Sequence, residues 1–163
     1  MRSLAESPDS ALLTDIEAHA VEIARGAGAM LERDFGSSLK IEYKDEAKRD
    51  PVTQVDKEVQ AYLKEAILDR FPDHGVVGEE DADEEAEKKL APDFVWVLDP
   101  LDGTVNYLNR YPCFGVSVGV LYRGAPAVGA LFILPPEAAR GQVLRARLDG
   151  GAFLDDLPIH VSS

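Results

Sequence analysis

The chain has 163 residues, of which 45% are hydrophobic, and this is enough for one folded domain with a core of its own. Its 30 acidic and 17 basic residues leave a net charge of −13, which repels nucleic-acid backbones and anionic membrane surfaces. We therefore expect neither nucleic acid nor a membrane as a partner.

The amino terminus and the single cysteine indicate a compartment. Glu6, Pro8 and Asp9 stand where a secretory signal needs an apolar core, and no apolar run is long enough to span a bilayer. Cys113 has no second cysteine to pair with, and its neighbour Phe114 predicts that it is a small buried side chain. We therefore expect a cytoplasmic protein without an internal disulfide.

The first predicted element is a long amphipathic helix. Pro8-Asp9-Ser10 is a helix-start signal, and apolar side chains then recur at helical spacing as far as Leu31. We expect Gly36 to end this helix. Residues 38–43 alternate between apolar and charged side chains, which predicts a short strand, and a charged loop over residues 44–50 follows.

A second amphipathic helix is predicted between Thr53, its expected N-cap, and Phe71-Pro72, where the apolar stripe stops. Asp56 lies three residues after Thr53, and this spacing has two interpretations. Asp56 is either the acidic partner of a capping box, which stabilises a helix by about 1 kcal/mol, or a member of a functional site. The residues around it leave both interpretations open.

Two short apolar strands are each expected to end in acidic residues. Gly75–Gly78 precedes Glu79-Glu80, and residues 94–98 precede Asp99. Acidic side chains at the end of a buried strand are typical of sites where chemistry is placed. The acidic run over residues 81–89 differs, because its mixed charges predict a solvated loop or helical face, and we assign it no chemistry.

The residues that follow the second of these strands combine two acids, a proline, a glycine and a hydroxyl. Asp99 and Asp102 flank Pro100, whose ring holds Asp99 extended, so that both carboxylates are expected to face one point. Two such charges repel unless a cation lies between them, and all-oxygen ligation favours a hard ion such as Mg²⁺. Gly103 and Thr104 open a short helical pattern whose free N–H groups would hold a phosphate. The alternative is an ordinary loop closed by Asx turns.

The second half of the chain is rich in strands. A hairpin is predicted from residues 113–122 and 128–134, and three shorter strands are predicted around residues 143–147, 152–154 and 159–161. Two helices packed against a largely antiparallel sheet make an α+β fold. The histidines have neither metal nor triad spacing and are expected to be structural; they are His19, His74 and His160.

Three segments carry a recognisable pattern: residues 50–56, Asp-Pro-Val-Thr-Gln-Val-Asp, residues 78–80, Gly-Glu-Glu, and residues 96–107, Trp-Val-Leu-Asp-Pro-Leu-Asp-Gly-Thr-Val-Asn-Tyr. Taken together, they resemble the inositol monophosphatase family, which consists of magnesium-dependent, lithium-sensitive phosphatases related to fructose-1,6-bisphosphatase. The similarity continues through Tyr111-Pro112 and residues 150–153. It implies the layered sandwich of that family, of which this chain would form the amino-terminal half without the C-terminal α/β half.

The resemblance also implies a metal site. Glu79, Asp99 and the backbone carbonyl of Leu101 would hold a first Mg²⁺, and Asp99 and Asp102 would share a second, with two or three ions in a complete site. These ions would activate a water for in-line attack on a phosphate monoester and neutralise charge on its oxygens.

Further residues would contact the substrate or the attacking water. The resemblance places Gly103 and Thr104 against the substrate phosphate, beside Asp102 and Leu101. Glu79 and Thr104 would orient the water, and Asp56 would complete the water network or a further weak metal site. Lys44 resembles a family lysine near the site, but the alignment there is loose and a surface lysine is the simpler interpretation.

The function implied is hydrolysis of inositol monophosphate to inositol and phosphate by a homodimeric enzyme. Phosphatases for histidinol phosphate, fructose bisphosphate or a 3′-phosphonucleotide share the metal motif and are alternatives. Members of the family continue beyond the equivalent of Ser163 into a half that supplies another aspartate and most contacts to the substrate ring. We therefore expect residues 1–163 to be one metal-binding phosphatase domain, with a fragment that only binds metal or a partner as the alternative.

Overall fold

The computed structural model describes residues 8–37, 41–43, 51–79, 81, 92–137 and 140–161. The predicted charged loop over residues 44–50 lies outside the described residues, and Lys44 lies there with it. Glu80 and all of the acidic run except Asp81 also lie outside them.

Three helices are found among the described residues: α1, Ser10–Asp34; α2, Gln54–Arg70; and α3, Thr104–Leu108. The side chain of Asp9 caps α1 by accepting a hydrogen bond from the backbone N–H of Ala11. Gly36 follows α1 with a φ of 78°, which a residue with a Cβ adopts only at a cost. The predicted beginning and end of the first helix are thus confirmed.

The strands form two sheets. In the first, β1, Ile41–Tyr43, pairs antiparallel with β2, Pro51–Thr53. The second contains, in order, β3, Gly75–Gly78; β4, Phe94–Asp102; β5, Phe114–Tyr122; β6, Ala125–Leu134; β7, Gln142–Arg147; β8, Gly151–Leu154; and β9, Leu157–Ile159. Its strands are neighbours in sequence order; β3 and β4 run parallel, and the remaining pairs are antiparallel.

The core lies between the two long helices and one face of the larger sheet. Helix α1 packs on β5, β6 and β7, while α2 packs on β3 and β4 and against α1. Gly28 of α1 lies so close to the ring of Phe132 on β6 that an added Cβ would come within 2.4 Å of it. Trp96 is completely buried beneath the helices. This arrangement confirms the predicted α+β layers.

The opposite face of the sheet carries a shallow groove of about 320 Å³. The strand register places a row of small residues across its floor, at positions 119, 129, 146 and 152. The row is flanked by Val97, which is 41% exposed, and Ile159, which is 36% exposed. None of the helices in the described ranges is long and apolar enough to cross a membrane.

The environment of Cys113 and the position of the last strand differ from the sequence prediction. Cys113 is exposed, not buried, because the strand and its alternating burial begin only at Phe114. The backbone carbonyl of Cys113 instead accepts a hydrogen bond from Asn106. The last strand lies earlier than predicted, since β9 ends at Ile159 and His160 follows it in an exposed position.

Candidate metal centre

The parallel pairing of β3 and β4 brings two acidic side chains to one edge of the sheet. Gly78 lies opposite Leu98 in the register, and each of these residues is followed directly by an acid, Glu79 and Asp99. The backbone N–H of Glu79 donates to the carbonyl of Leu98 over 3.0 Å, which continues the ladder by one residue. Because parallel strands deliver their carboxyl ends to the same edge, the two side chains meet there.

Glu79, Asp99 and Asp102 form an acid cluster. The carboxyl group of Asp99 is half-buried and hydrogen-bonded to Glu79, while Glu79 and Asp102 are exposed. Burial raises the pKa of Asp99 to about 7, and the neighbouring charges of Glu79 and Asp102 act in the same direction. The cluster therefore holds more negative charge than it can stabilise alone, and a shared proton or a cation relieves it.

The turn after Asp99 is fixed by its own hydrogen bonds. The Oδ1 of Asp99 accepts from the backbone N–H of Leu101 over 3.1 Å, and the hydroxyl of Thr104 donates to the carbonyl of Leu101 over 3.0 Å. Gly103 has a φ of 85°, and an added Cβ there would lie 2.9 Å from the carbonyl oxygen of Cys113. Both facts require glycine at this position. Helix α3 then begins at Thr104 and is only five residues long.

Asp56 is buried at the start of α2, where it completes a capping box. Its carboxylate accepts from the backbone N–H of Thr53 over 2.9 Å and also from the Thr53 hydroxyl. In return, the backbone N–H of Asp56 donates to that hydroxyl over 3.3 Å. The capping interpretation is thus confirmed, while a role of Asp56 beside the acid cluster stays a prediction.

The sequence pattern predicts the wrong environment for one acidic residue, Asp81. Asp81, taken as part of a solvated run, has a side chain only 8% exposed and pairs with Lys64 of α2. The sequence signal that it offers is its position three residues after Gly78, the spacing at which the acid of a capping box accepts from a backbone N–H. This signal was missed because Asp81 begins an acidic run that is typical of a solvated segment.

The donor set of the acid cluster fits a hard divalent cation. Three carboxylates and the carbonyl of Leu101 supply oxygen only, and burial together with the neighbouring negative charges raises the pKa of Asp99. Among the described residues, no three histidine, cysteine or acidic side chains converge closely enough to form a ready metal site. The residues present are therefore suitable in kind, and their side chains would have to close around an ion.

Two of the histidines have structural partners. The indole N–H of Trp96 donates to Nδ1 of His74 over 3.0 Å, and Nε2 of His19 lies 3.0 Å from the carbonyl oxygen of Ala66. His74 is also stacked between the rings at positions 71 and 94. These contacts agree with the structural role predicted for both residues.

Comparison with known proteins relates most of this chain to one family. Residues 12–163 match the inositol monophosphatase family. The chain is 41% identical over 110 residues to a fructose-1,6-bisphosphatase/inositol-1-monophosphatase of Aquifex aeolicus, covering 68% of this chain and 40% of that protein. It is 31% identical over 151 residues to an inositol monophosphatase of Mesembryanthemum crystallinum, covering 93% of this chain and 54% of that one.

A solved structure supports the same relationship. The extragenic suppressor protein SuhB of Bartonella henselae superimposes with a TM-score of 0.78 at 27% identity, over 91% of this chain and 55% of that one. The chain thus spans about half the length of the relatives that it matches.

Proposed function

Since this chain belongs to the inositol monophosphatase family, we propose that it carries part of the active site of a magnesium-dependent phosphomonoesterase that hydrolyses inositol monophosphate. The observation that carries the proposal is the direct contact between Glu79 and Asp99 at the ends of two parallel strands, with Asp102 beside them. Such a cluster is costly for the fold alone, because like charges are brought together and partly buried.

The family resemblance supports an assignment of these oxygen donors to the ions. Glu79, Asp99 and the carbonyl of Leu101 would hold one Mg²⁺, and Asp99 with Asp102 would hold a second. When bound, the ions supply an activated water and neutralise charge on the phosphate oxygens. Asp99 contributes to both positions, and it is therefore the residue on which the proposal depends most.

The chain's own groups would orient the attacking water and the ester. The Thr104 hydroxyl donates its hydrogen to the carbonyl of Leu101, which leaves its oxygen free to accept a hydrogen bond from the water. Glu79 would accept the other hydrogen of that water. Backbone groups of Gly103 and Thr104 would contact the phosphate, and Asp56 would take part in the water network from the start of α2. These roles are carried over from the family resemblance.

A second substrate class is supported by the name of one relative. The Aquifex aeolicus protein is named for fructose-1,6-bisphosphatase as well as inositol-1-monophosphatase. A sugar bisphosphate is therefore the main alternative substrate. A homodimer and a cytoplasmic location stay predictions.

The test is release of inorganic phosphate from inositol 1-phosphate by the full chain, with and without Mg²⁺. We expect release that requires both Mg²⁺ and Asp99, so that the Asp99→Asn variant is inactive. Asp155→Asn is the control, because Asp155 is a hydrogen-bonded carboxylate in the turn between β8 and β9. Mg²⁺ binding without release would favour the alternative of a domain that only binds metal. Release that is independent of Mg²⁺ or of Asp99 would overturn the proposal.

A fructose 1,6-bisphosphate assay run in parallel separates the two substrate classes. Faster turnover of the bisphosphate than of inositol 1-phosphate would replace the first substrate with the second. Both assays use the same variants, so a difference in protein quality does not affect the comparison.

A further inference from the structure

Two hydrogen bonds between Gly78 and Asp81, one in each direction, close the turn that contains Glu79. The backbone N–H of Gly78 donates to Oδ2 of Asp81 over 3.0 Å, and the backbone N–H of Asp81 donates to the carbonyl of Gly78 over 3.1 Å. Glu79 lies inside this turn, and its own N–H is held by Leu98 of β4. The backbone that presents the Glu79 carboxylate is therefore fixed at three points.

Asp81 also connects this turn to helix α2. Its Oδ1 accepts from Nζ of Lys64 and, over 3.4 Å, from Nε2 of Gln60. The side chain of Asp81 is 8% exposed and that of Lys64 is 25% exposed, so water screens this ion pair less than it screens a surface pair. Gln60 lies directly on Gly78, where an added Cβ would come within 2.2 Å of its Oε1. The turn is thus packed and charge-paired against the helix.

We infer that Lys64 and Asp81 are positioning residues that hold Glu79 beside Asp99, and that they thereby set the affinity of the acid cluster for Mg²⁺. This inference rests on the proposed function for its metal, while the anchoring of the turn does not. Removing a residue that orients a metal ligand without binding the metal itself typically lowers metal affinity by roughly 10- to 100-fold.

For one variant, electrostatics alone predicts the opposite change in Mg²⁺ affinity. Lys64→Met removes a positive charge near the acid cluster, so electrostatics alone would make Mg²⁺ bind more tightly. If Lys64 acts by holding the turn through Asp81, its loss frees Glu79 and makes Mg²⁺ bind less tightly. The direction of the change therefore separates positioning from charge.

The experiment is a calorimetric Mg²⁺ titration of the full chain and of its Lys64→Met and Asp81→Asn variants. We expect both variants to bind at least roughly tenfold more weakly than the wild type. Asp155→Asn is a matched control, since Asp155 also accepts a backbone N–H, returns a hydrogen bond to the same residue and pairs with an arginine. The control should bind Mg²⁺ as the wild type does. Unchanged or tighter binding by Lys64→Met would overturn the inference.

Amide hydrogen exchange tests the anchoring without metal. In the Asp81→Ala variant we expect faster exchange at Gly78 and Glu79 and unchanged exchange at Val143. If Asp81→Ala does not fold, Lys64→Met replaces it with the same expectation. Unchanged exchange at the first two residues would overturn the inference whatever the metal data show. A wild type that binds no Mg²⁺ would instead refute the proposed function and the metal part of the inference, and faster exchange would then support the anchoring alone.

Discussion

Replacing Asp99 by asparagine should stabilise the metal-free protein. A pKa of about 7, against the ordinary value of 3.8, corresponds to about 4 kcal/mol of unfavourable free energy when Asp99 is ionised in the folded state. Because Asp99 is only half-buried, solvent reduces this penalty of burial and repulsion, and we expect a gain of about 1–2 kcal/mol. An asparagine side chain is nearly the same size as that of aspartate and carries no charge, so the shape of the turn is kept.

The sign of the pH dependence follows from proton binding. Between about pH 4 and pH 7 the folded chain keeps a proton on Asp99 that the unfolded chain has lost, so the wild type loses stability as the pH rises through this window. Above about pH 7 the penalty is constant. The advantage of Asp99→Asn should therefore be larger at about pH 8 than at about pH 5.5.

Urea unfolding in the presence of a chelator measures this difference. Saturating Mg²⁺ should reverse the order, since an ion at about 100 times its Kd stabilises the wild type by about 2.7 kcal/mol and should not bind the variant. Asp155→Asn provides a control of opposite sign, because the Val143 N–H and the Arg25 charge lower the pKa of Asp155, so that its loss destabilises the fold. A variant less stable than the wild type at about pH 8, or a gain that does not depend on pH, would refute the reasoning.

Three further predictions concern the scaffold. Burial lowers the pKa of His74 below 6.5, so stability should be complete above pH 6.5 and fall as the pH drops below it. His74→Phe should remove most of this acid loss in urea unfolding at a series of pH values, and an equal acid loss in the variant would contradict the assignment to His74. Gly28→Ala should lower the free energy of unfolding by about 1–3 kcal/mol despite the better helix propensity of alanine, because the new methyl overlaps the Phe132 ring; an unchanged Tm would show that the ring moves away. Thr53→Ala should cost about 1 kcal/mol through loss of the capping box, and a change in Tm no larger than that of an exposed substitution would contradict it.

The long helices were predictable because their information is local. Apolar spacing fixes which face of α1 is buried, and Asp9 and Gly36 mark its limits within a few residues of sequence. The capping box at Thr53 is local in the same sense. Cys113 shows the limit of this reasoning, since apolar neighbours predicted its burial but the strand begins one residue later.

The acid cluster was only partly predictable from its residues. The short stretch around Pro100 indicates that Asp99 and Asp102 act together, whereas the approach of Glu79 depends on the parallel pairing of two strands. Single-sequence patterns do not show that pairing, and the family resemblance supplied only the place of Glu79 among the metal ligands. Asp81 was missed for a related reason, because its partner Lys64 lies 17 residues earlier on a separate helix.

The order of the strands has a consequence for the folding kinetics. From β4 to β9 each strand pairs with the next one along the chain, so this meander can form by short-range steps. Among the described strands, only β3 and β4 pair in parallel, and parallel neighbours need a longer connection than a hairpin before they meet. Contacts between Glu79 and Asp99 should therefore form after the rate-limiting step. A cation bound across them would slow unfolding in stopped-flow experiments and leave the refolding rate nearly unchanged, because it would stabilise contacts that are made only in the native state.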